Sequence, residues 1–301
     1  MKRFIKTILI FFAAIAIADI AFGALCRYFN KHARGGDTHN QYVTTMIQQA
    51  PVIIMGSSRA ARHYNPAILA DTLGREVWNC GLDGNGLLFQ YGRLRLLLER
   101  YTPQTIIYDV IPAFDIREED NLKSIKWLNR WADHTVLDSL IDDVDPAERI
   151  KLLSSFYRYN TTFLHMAKDN VGSPQIFDHG FLPFYDRMDY DGKGPDDKPS
   201  VWQPLKREYF EKFINLCREK NIHLIVVYSP WYKARSNRSL EPVTTLCREK
   251  GVPVIDHYAD PEWVTSREMF ADPSHLNDRG ADVFSSQIAS EIKKVETSTY
   301  K

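Results

Sequence analysis

Two serines and a distant histidine are the residues whose types and spacing could do chemistry in this chain. In Pro51-Val-Ile-Ile-Met-Gly-Ser-Ser-Arg-Ala60, four apolar residues read as a short buried strand that runs into Gly56, Ser57 and Ser58. A parallel strand delivers its last side chains to the carboxyl edge of its sheet, where open α/β folds bind ligands. A serine there, beside backbone N–H groups and a helix start, is placed as an acyl-transfer nucleophile would be. The same strand and turn also occur in inert α/β proteins, so a partner is required. It lies in Ala271-Asp-Pro-Ser-His-Leu-Asn-Asp-Arg-Gly280, where Asp272 and His275 are three positions apart, just before a helical run. One folded turn lets Asp272 set the tautomer of His275 while the other ring nitrogen faces a serine. Alone, the same four residues read as a helix start capped by Asp272 or Ser274. Together with the serine turn they are far more specific.

The pairing resembles the GDSL/SGNH hydrolase superfamily, whose first block is G-D-S and whose last is D-x-x-H. Gly56-Ser57-Ser58 has serine where that block has aspartate, as in the membrane-anchored G-S-S variants similar to D-alanyl-lipoteichoic-acid transfer proteins and other cell-envelope O-acyltransferase-like members. The resemblance implies that Ser58 is the nucleophile, with His275 and Asp272 completing the triad. Asn79-Cys-Gly-Leu-Asp-Gly84 matches the second block, N-x-x-x-x-G, whose last glycine lends an oxyanion N–H, so Ser58 and Gly84 are the expected oxyanion donors. The third block, G-x-N-D, is missing: Asp109-Val-Ile-Pro-Ala-Phe-Asp115 has no asparagine, and one donor is unassigned. The likeness spans roughly residues 51–293.

The elements that must position these residues follow an α/β rhythm. Strands are expected near 51, 77, 105, 222 and 252, with a helix over 66–73 ended by Gly74 and an apolar helical stripe over 87–101. This predicts a three-layer, doubly wound parallel α/β sandwich; the flavodoxin-like strand order is implied by the resemblance. Between about 116 and 200 the alternation stops. Residues 122–140 and 146–168 read as helical and 174–199 as a Gly/Pro/Asp-rich loop, an insertion on the catalytic edge suited to a lid. Its aromatic residues, Trp127, Trp131, Phe156 and Phe163 among them, could stack on sugars, but at helical spacing aromatics are more often core. His165 and His179 read as polar contacts rather than catalysts. Gly81, Gly84 and Gly86 do not form a dinucleotide fingerprint. Cys217 and Cys247 each end a Leu-Cys-Arg-Glu-Lys segment before a strand and could be bonded or be separate buried thiols.

Lys plus Arg equals Asp plus Glu at 38 each, which removes any argument for a nucleic-acid partner. Four cysteines without a CxxC or Cys/His cluster give no metal site, and no cofactor motif is present. Residues 1–35 read as a signal anchor and its flank. Lys2, Arg3 and Lys6 precede an apolar run from 7 to 25, broken only by Asp19, with Arg27, Lys31 and Arg34 beyond. A cleaved signal peptide competes, but no clear A-x-A site is present. Cys26 suggests a lipoprotein, although Leu25 sits where a small residue is wanted. Asp19 is costly in a bilayer: it marks a helix partner or merely weakens the anchor.

The expected organisation is anchor, polar linker over 36–50, α/β domain over 51–295 and a tail over 296–301. The expected function is an extracytoplasmic serine esterase or O-acyltransferase acting on acylated glycan or another ester, single-pass in the membrane. The resemblance adds a membrane-bound O-acyltransferase as a possible partner. Arg59, Arg62 and Asn79 are candidate substrate contacts. The alternative is a catalytically inactive glycan-binding or assembly subunit that keeps the fold.

Overall fold

The structure is a computed structural model that describes residues 1–172 and 175–299. Pro174, at the start of the expected loop, and the last two residues of the expected tail lie outside the described residues.

Five parallel strands form the sheet: β1 (Val52–Gly56), β2 (Val77–Asn79), β3 (Thr105–Asp109), β4 (His223–Tyr228) and β5 (Val254–Asp256), in the order β2-β1-β3-β4-β5. The order reverses at β1, so the crevice at its carboxyl end is the topological switch point where such sheets bind ligands. β1 and β3 are buried along their whole length, which is why they read as continuous apolar runs. Period-two alternation divides them between two cores. Ile53, Met55, Ile106, Tyr108 and Val226 pack under α5 (Leu87–Leu97), α6 (Pro204–Glu219) and α7 (Glu241–Glu249). Val52, Ile54, Ile107, Ile225 and Val227 face the other way. There they meet Ala60 and Tyr64 of α3 (Ser58–His63) and its exit, Leu69 of α4 (Pro66–Leu73), and Phe284, Ile288 and Ile292 of α8 (Asp278–Thr299). The expected three-layer α/β sandwich is therefore the observed fold. The helix over 66–73 is also present, started by the Asn65 side chain, which accepts from Ala67 N, and ended at left-handed Gly74.

Two stretches differ from expectation. The polar segment expected as a linker is a helix, α2 (Gly36–Met46), with Thr38, Asn40, Gln41, Thr44 and Thr45 buried. Its polar groups find partners elsewhere in the chain: Asp169 accepts from Thr38 N, and Gln41 Oε1 accepts from buried Arg93. The two long helices expected in the insertion are a chain of short pieces, the last two being Ser155–Tyr159 and Phe163–Val171. The Asp272 to His275 stretch, ahead of the helix from Asp278, folds back as the turn of a two-stranded antiparallel hairpin, β6 (Phe270–Asp272) with β7 (His275–Leu276), and the helix-start alternative is not what is seen. Cys217 and Cys247 are separate buried thiols.

N-terminal to all this runs α1 (Lys2–His32), 31 residues long and apolar enough to cross a membrane by length and composition. Among the described residues its first half packs against no other element, and its second half lies along the insertion.

Candidate active site

β1 ends in Gly56 at φ 140°, a conformation that favours glycine, and a Cβ there would lie 2.5 Å from the Asp109 carbonyl oxygen. This close approach lets β1 and β3 finish level, Gly56 opposite Asp109, and projects Ser58 at the first turn of α3. From the other end of the chain, the β6–β7 turn brings Asp272 and His275 to the same edge. Ser58 Oγ is 2.8 Å from His275 Nε2, and His275 Nδ1 is 2.8 Å from Asp272 Oδ2.

The aspartate is held by its surroundings as well as by the ring. Asp272 Oδ1 accepts from Ser274 N at 2.8 Å, Ser274 Oγ at 2.8 Å and His275 N at 3.0 Å. Partial burial works against its charge, but the hydrogen bonds and charge of His275 and the Ser274 donors outweigh that and hold the carboxyl at about 2. An ionised Asp272 requires a proton on His275 Nδ1, which leaves Nε2 as the acceptor facing Ser58. Phe184 covers the imidazole edge-on, 5.4 Å between ring centres.

Beneath the serine lies a buried polar group that the sequence reading missed. Leu276 N, next to His275, donates to His63 Nε2 at 3.0 Å, and His63 Nδ1 is 3.0 Å from Ser229 Oγ. Nε2 is thereby an acceptor, so the proton sits on Nδ1. Full burial, then the charges of Arg59 and His275, push the His63 pKa well below the usual histidine range, so the ring is neutral. The Tyr64 hydroxyl donates to Asp109, whose own pKa burial raises. The only sequence signal for this layer was the polar end of an apolar strand: Asp109 closes β3, and Ser229 follows β4.

Two of the expected substrate contacts belong to this layer instead. Arg59 is fully buried, donates from Nε to Ser229 Oγ at 3.1 Å and from Nη2 to the carbonyls of Ser229 and Pro230, and lies over Trp231 and Tyr258. Asn79 is fully buried, donates to the Ala60 and Tyr64 carbonyls at 2.7 and 3.1 Å, and accepts from Gly81 N. It ties α3 to the glycine loop. Arg62 is at the site's rim, but its guanidinium joins Asp83 at 2.6 Å and the Leu182 carbonyl at 2.7 Å and lies over Phe184. All three have protein partners on most of their polar atoms, so each serves as scaffold, although Arg59 Nη1 and Arg62 Nε have none among the described residues.

Gly84, exposed at φ 70°, makes no hydrogen bond among the described residues, so its N–H is free. In the stretch that lacks the third-block asparagine, Val110 N donates to Val227 O, and Asp115 Oδ2 accepts from Ile111 N. Residues 110–114 of that loop, Val-Ile-Pro-Ala-Phe, carry no side-chain donor. His165 lies against Trp127, and His179 pairs with Asp178.

No protein-family model matches this chain, and no curated protein matches it in sequence. Solved structures with a similar course include a protein named to the G-D-S-L lipolytic family from Desulfitobacterium hafniense, 14% identical, with TM-score 0.41 over 79% of this chain and 97% of that one. One named as an acylhydrolase, from Bacteroides fragilis, is 12% identical, with TM-score 0.39 over 88% of this chain and 93% of that one. A GDSL-like lipase from Bacteroides thetaiotaomicron is 10% identical, with TM-score 0.38 over 81% and 88%. Likeness of this degree says nothing about what this chain acts on.

Proposed function

We propose that this chain is a membrane-anchored, extracytoplasmic serine esterase or O-acyltransferase that works on acyl esters of a cell-envelope glycan. The observation that carries the reading is the unbroken line Ser58 Oγ, His275, Asp272, with both hydrogen-bonded distances at 2.8 Å. In the proposed reaction Ser58 Oγ attacks the ester carbonyl as its proton passes to His275 Nε2. The imidazolium is stabilised by Asp272, and the N–H groups of Ser58 and Gly84 hold the oxyanion, each worth about 3 kcal/mol in such sites. Collapse expels the alcohol, which takes the proton from His275 and leaves an acyl-serine. Water or a sugar hydroxyl then repeats the steps in reverse, giving hydrolysis or transfer. The basic first turns of α1, with Lys2, Arg3 and Lys6, support a cytoplasmic start and an exported domain. The G-S-S block supports an envelope glycan as substrate and a membrane-bound O-acyltransferase as partner.

One observation favours a second reading, a non-catalytic glycan-binding or assembly subunit. Residues 110–114, which follow β3, include no side chain that can donate a hydrogen bond to an oxyanion. The two readings part on one experiment. The full-length protein in detergent is treated with a fluorophosphonate probe, alongside Ser58→Ala and His275→Ala, and adducts are located by peptide mass spectrometry. The esterase reading expects an adduct on Ser58 that is lost in both variants. A folded protein that takes no adduct would favour the subunit.

A further inference from the structure

Asp19 sits inside the apolar run of α1, where a bare carboxylate would be costly in lipid. Its oxygens are not bare. Oδ1 accepts from Ser154 Oγ at 2.8 Å and from Phe156 N at 2.9 Å, and Oδ2 accepts from Ser155 N at 2.9 Å. Asp19 thus caps the Ser155–Tyr159 helix of the insertion, 135 or more residues away in sequence. The same face of α1 continues the contact at helical spacing. Phe22 stacks on Phe156 at 4.9 Å, a Cβ on Gly23 would meet Ser155 Oγ at 2.3 Å, and Cys26 is buried with Tyr159 and Met166. The insertion is therefore clamped to α1 from Asp19 onward.

That clamp fixes a depth. Lys6 and Arg27 bracket the apolar residues 7–26, which as a helix span about 30 Å, the thickness of a bilayer's hydrocarbon core. Asp19 lies eight positions before Arg27, about 12 Å inside that outer bracket. Residues bound to Asp19 cannot stand in water while α1 fills the bilayer. The insertion's surface at this level is suitably apolar: Ile150, Leu153, Phe156 and Leu164 are 74%, 79%, 45% and 75% exposed. Beside Ile150, Arg149 is paired with Asp138 and Asp142, and Lys151 with Asp145 and Glu148. The surface suits the acyl-chain boundary rather than a display of charge to headgroups.

We infer that this collar of the insertion is immersed in the outer leaflet of the same bilayer that α1 crosses, so that the domain rests in the membrane in a fixed pose. The inference rests on the anchored reading above. Immersion explains both the exposed apolar collar and the tolerated Asp19, whose carboxylate enters the leaflet already hydrogen-bonded.

The test uses the full chain in vesicles of phosphatidylethanolamine and phosphatidylglycerol. The four native cysteines are buried, so single sites introduced by Leu153→Cys, Leu164→Cys, Phe12→Cys and Val283→Cys can be labelled with bimane. Quenching by chain-labelled doxyl lipid is compared with quenching by aqueous iodide. Immersion predicts that labels at 153 and 164 behave like the label at 12, several-fold more quenched by doxyl lipid than the label at 283, and that high salt does not change this. Iodide quenching at 153 and 164 with lipid quenching at 12 would overturn the collar and leave the anchor standing. Iodide quenching at 12 would overturn the anchor, and the collar with it. Shielding of 153 and 164 from both quenchers would overturn immersion in favour of a covering protein.

Discussion

Replacing Asp272 by asparagine probes the proposed mechanism more sharply than removing the nucleophile does. Three donors converge on Asp272 Oδ1: Ser274 N, Ser274 Oγ and His275 N. They keep the amide oxygen of an asparagine at that position and force its NH₂ into the place of Oδ2, 2.8 Å from His275 Nδ1. Nδ1 must then accept, so the ring proton moves to Nε2, where it points at Ser58 Oγ and cannot take the serine's proton. The fold is retained, because the turn's hydrogen bonds survive. The wrong tautomer in such a triad costs about 10⁴ in kcat, or about 5 kcal/mol of barrier. The assay is hydrolysis of p-nitrophenyl acetate by the full chain in detergent, with the rate of fluorophosphonate labelling as a substrate-independent check. KM should change little while both rates collapse. A folded variant, with the cooperative melting transition of the parent, that keeps activity within tenfold would refute the tautomer argument, and with it the role given to Asp272.

Other outcomes follow from the same geometry. His63→Ala strands the Leu276 N–H beneath the site and should cost about 1–3 kcal/mol of stability; if the His63 bond also positions His275, kcat falls and KM does not, whereas an unchanged kcat in the folded variant would make His63 purely structural. Gly84→Ala meets no atom within 4 Å but must hold φ near 70°, so it should lose about 1 kcal/mol in stability while keeping its N–H and most of the activity; a steric collapse of the loop would contradict this. Two carboxylates should leave opposite signatures in melting temperature against pH. Asp272, held at about 2, contributes stability above its unfolded pKa that is lost as pH falls towards 2, whereas Asp115, pushed by burial to about 7, makes the fold less stable as pH rises from about 4 to 7. Asp272→Asn should flatten the acid limb and Asp115→Asn the near-neutral one, and an unchanged profile in either variant would count against that assignment.

The local parts of this protein were legible in its sequence because local chemistry made them. Apolar runs marked β1 and β3, Pro66 and Gly74 bounded α4, and Gly56 with two serines marked the turn that carries Ser58. Asp272 and His275 stood out by their spacing, although the hairpin that presents them did not, since β6 and β7 are too short to leave a period. What tertiary structure alone decided is where polar side chains find their partners. Arg59 and Asn79 read as candidate ligand contacts because an isolated sequence cannot show that Ser229 and Pro230, or the Ala60 and Tyr64 carbonyls, wait for them. Residues 36–46 read as a linker because buried polar residues look like exposed ones until Arg93 and Asp169 are placed beside them. Asp19 read as a flaw or a partner mark; its partner is the insertion of its own chain. Hydrophobic periodicity is a property of neighbours along the chain, whereas hydrogen-bond satisfaction depends on groups that only folding brings together.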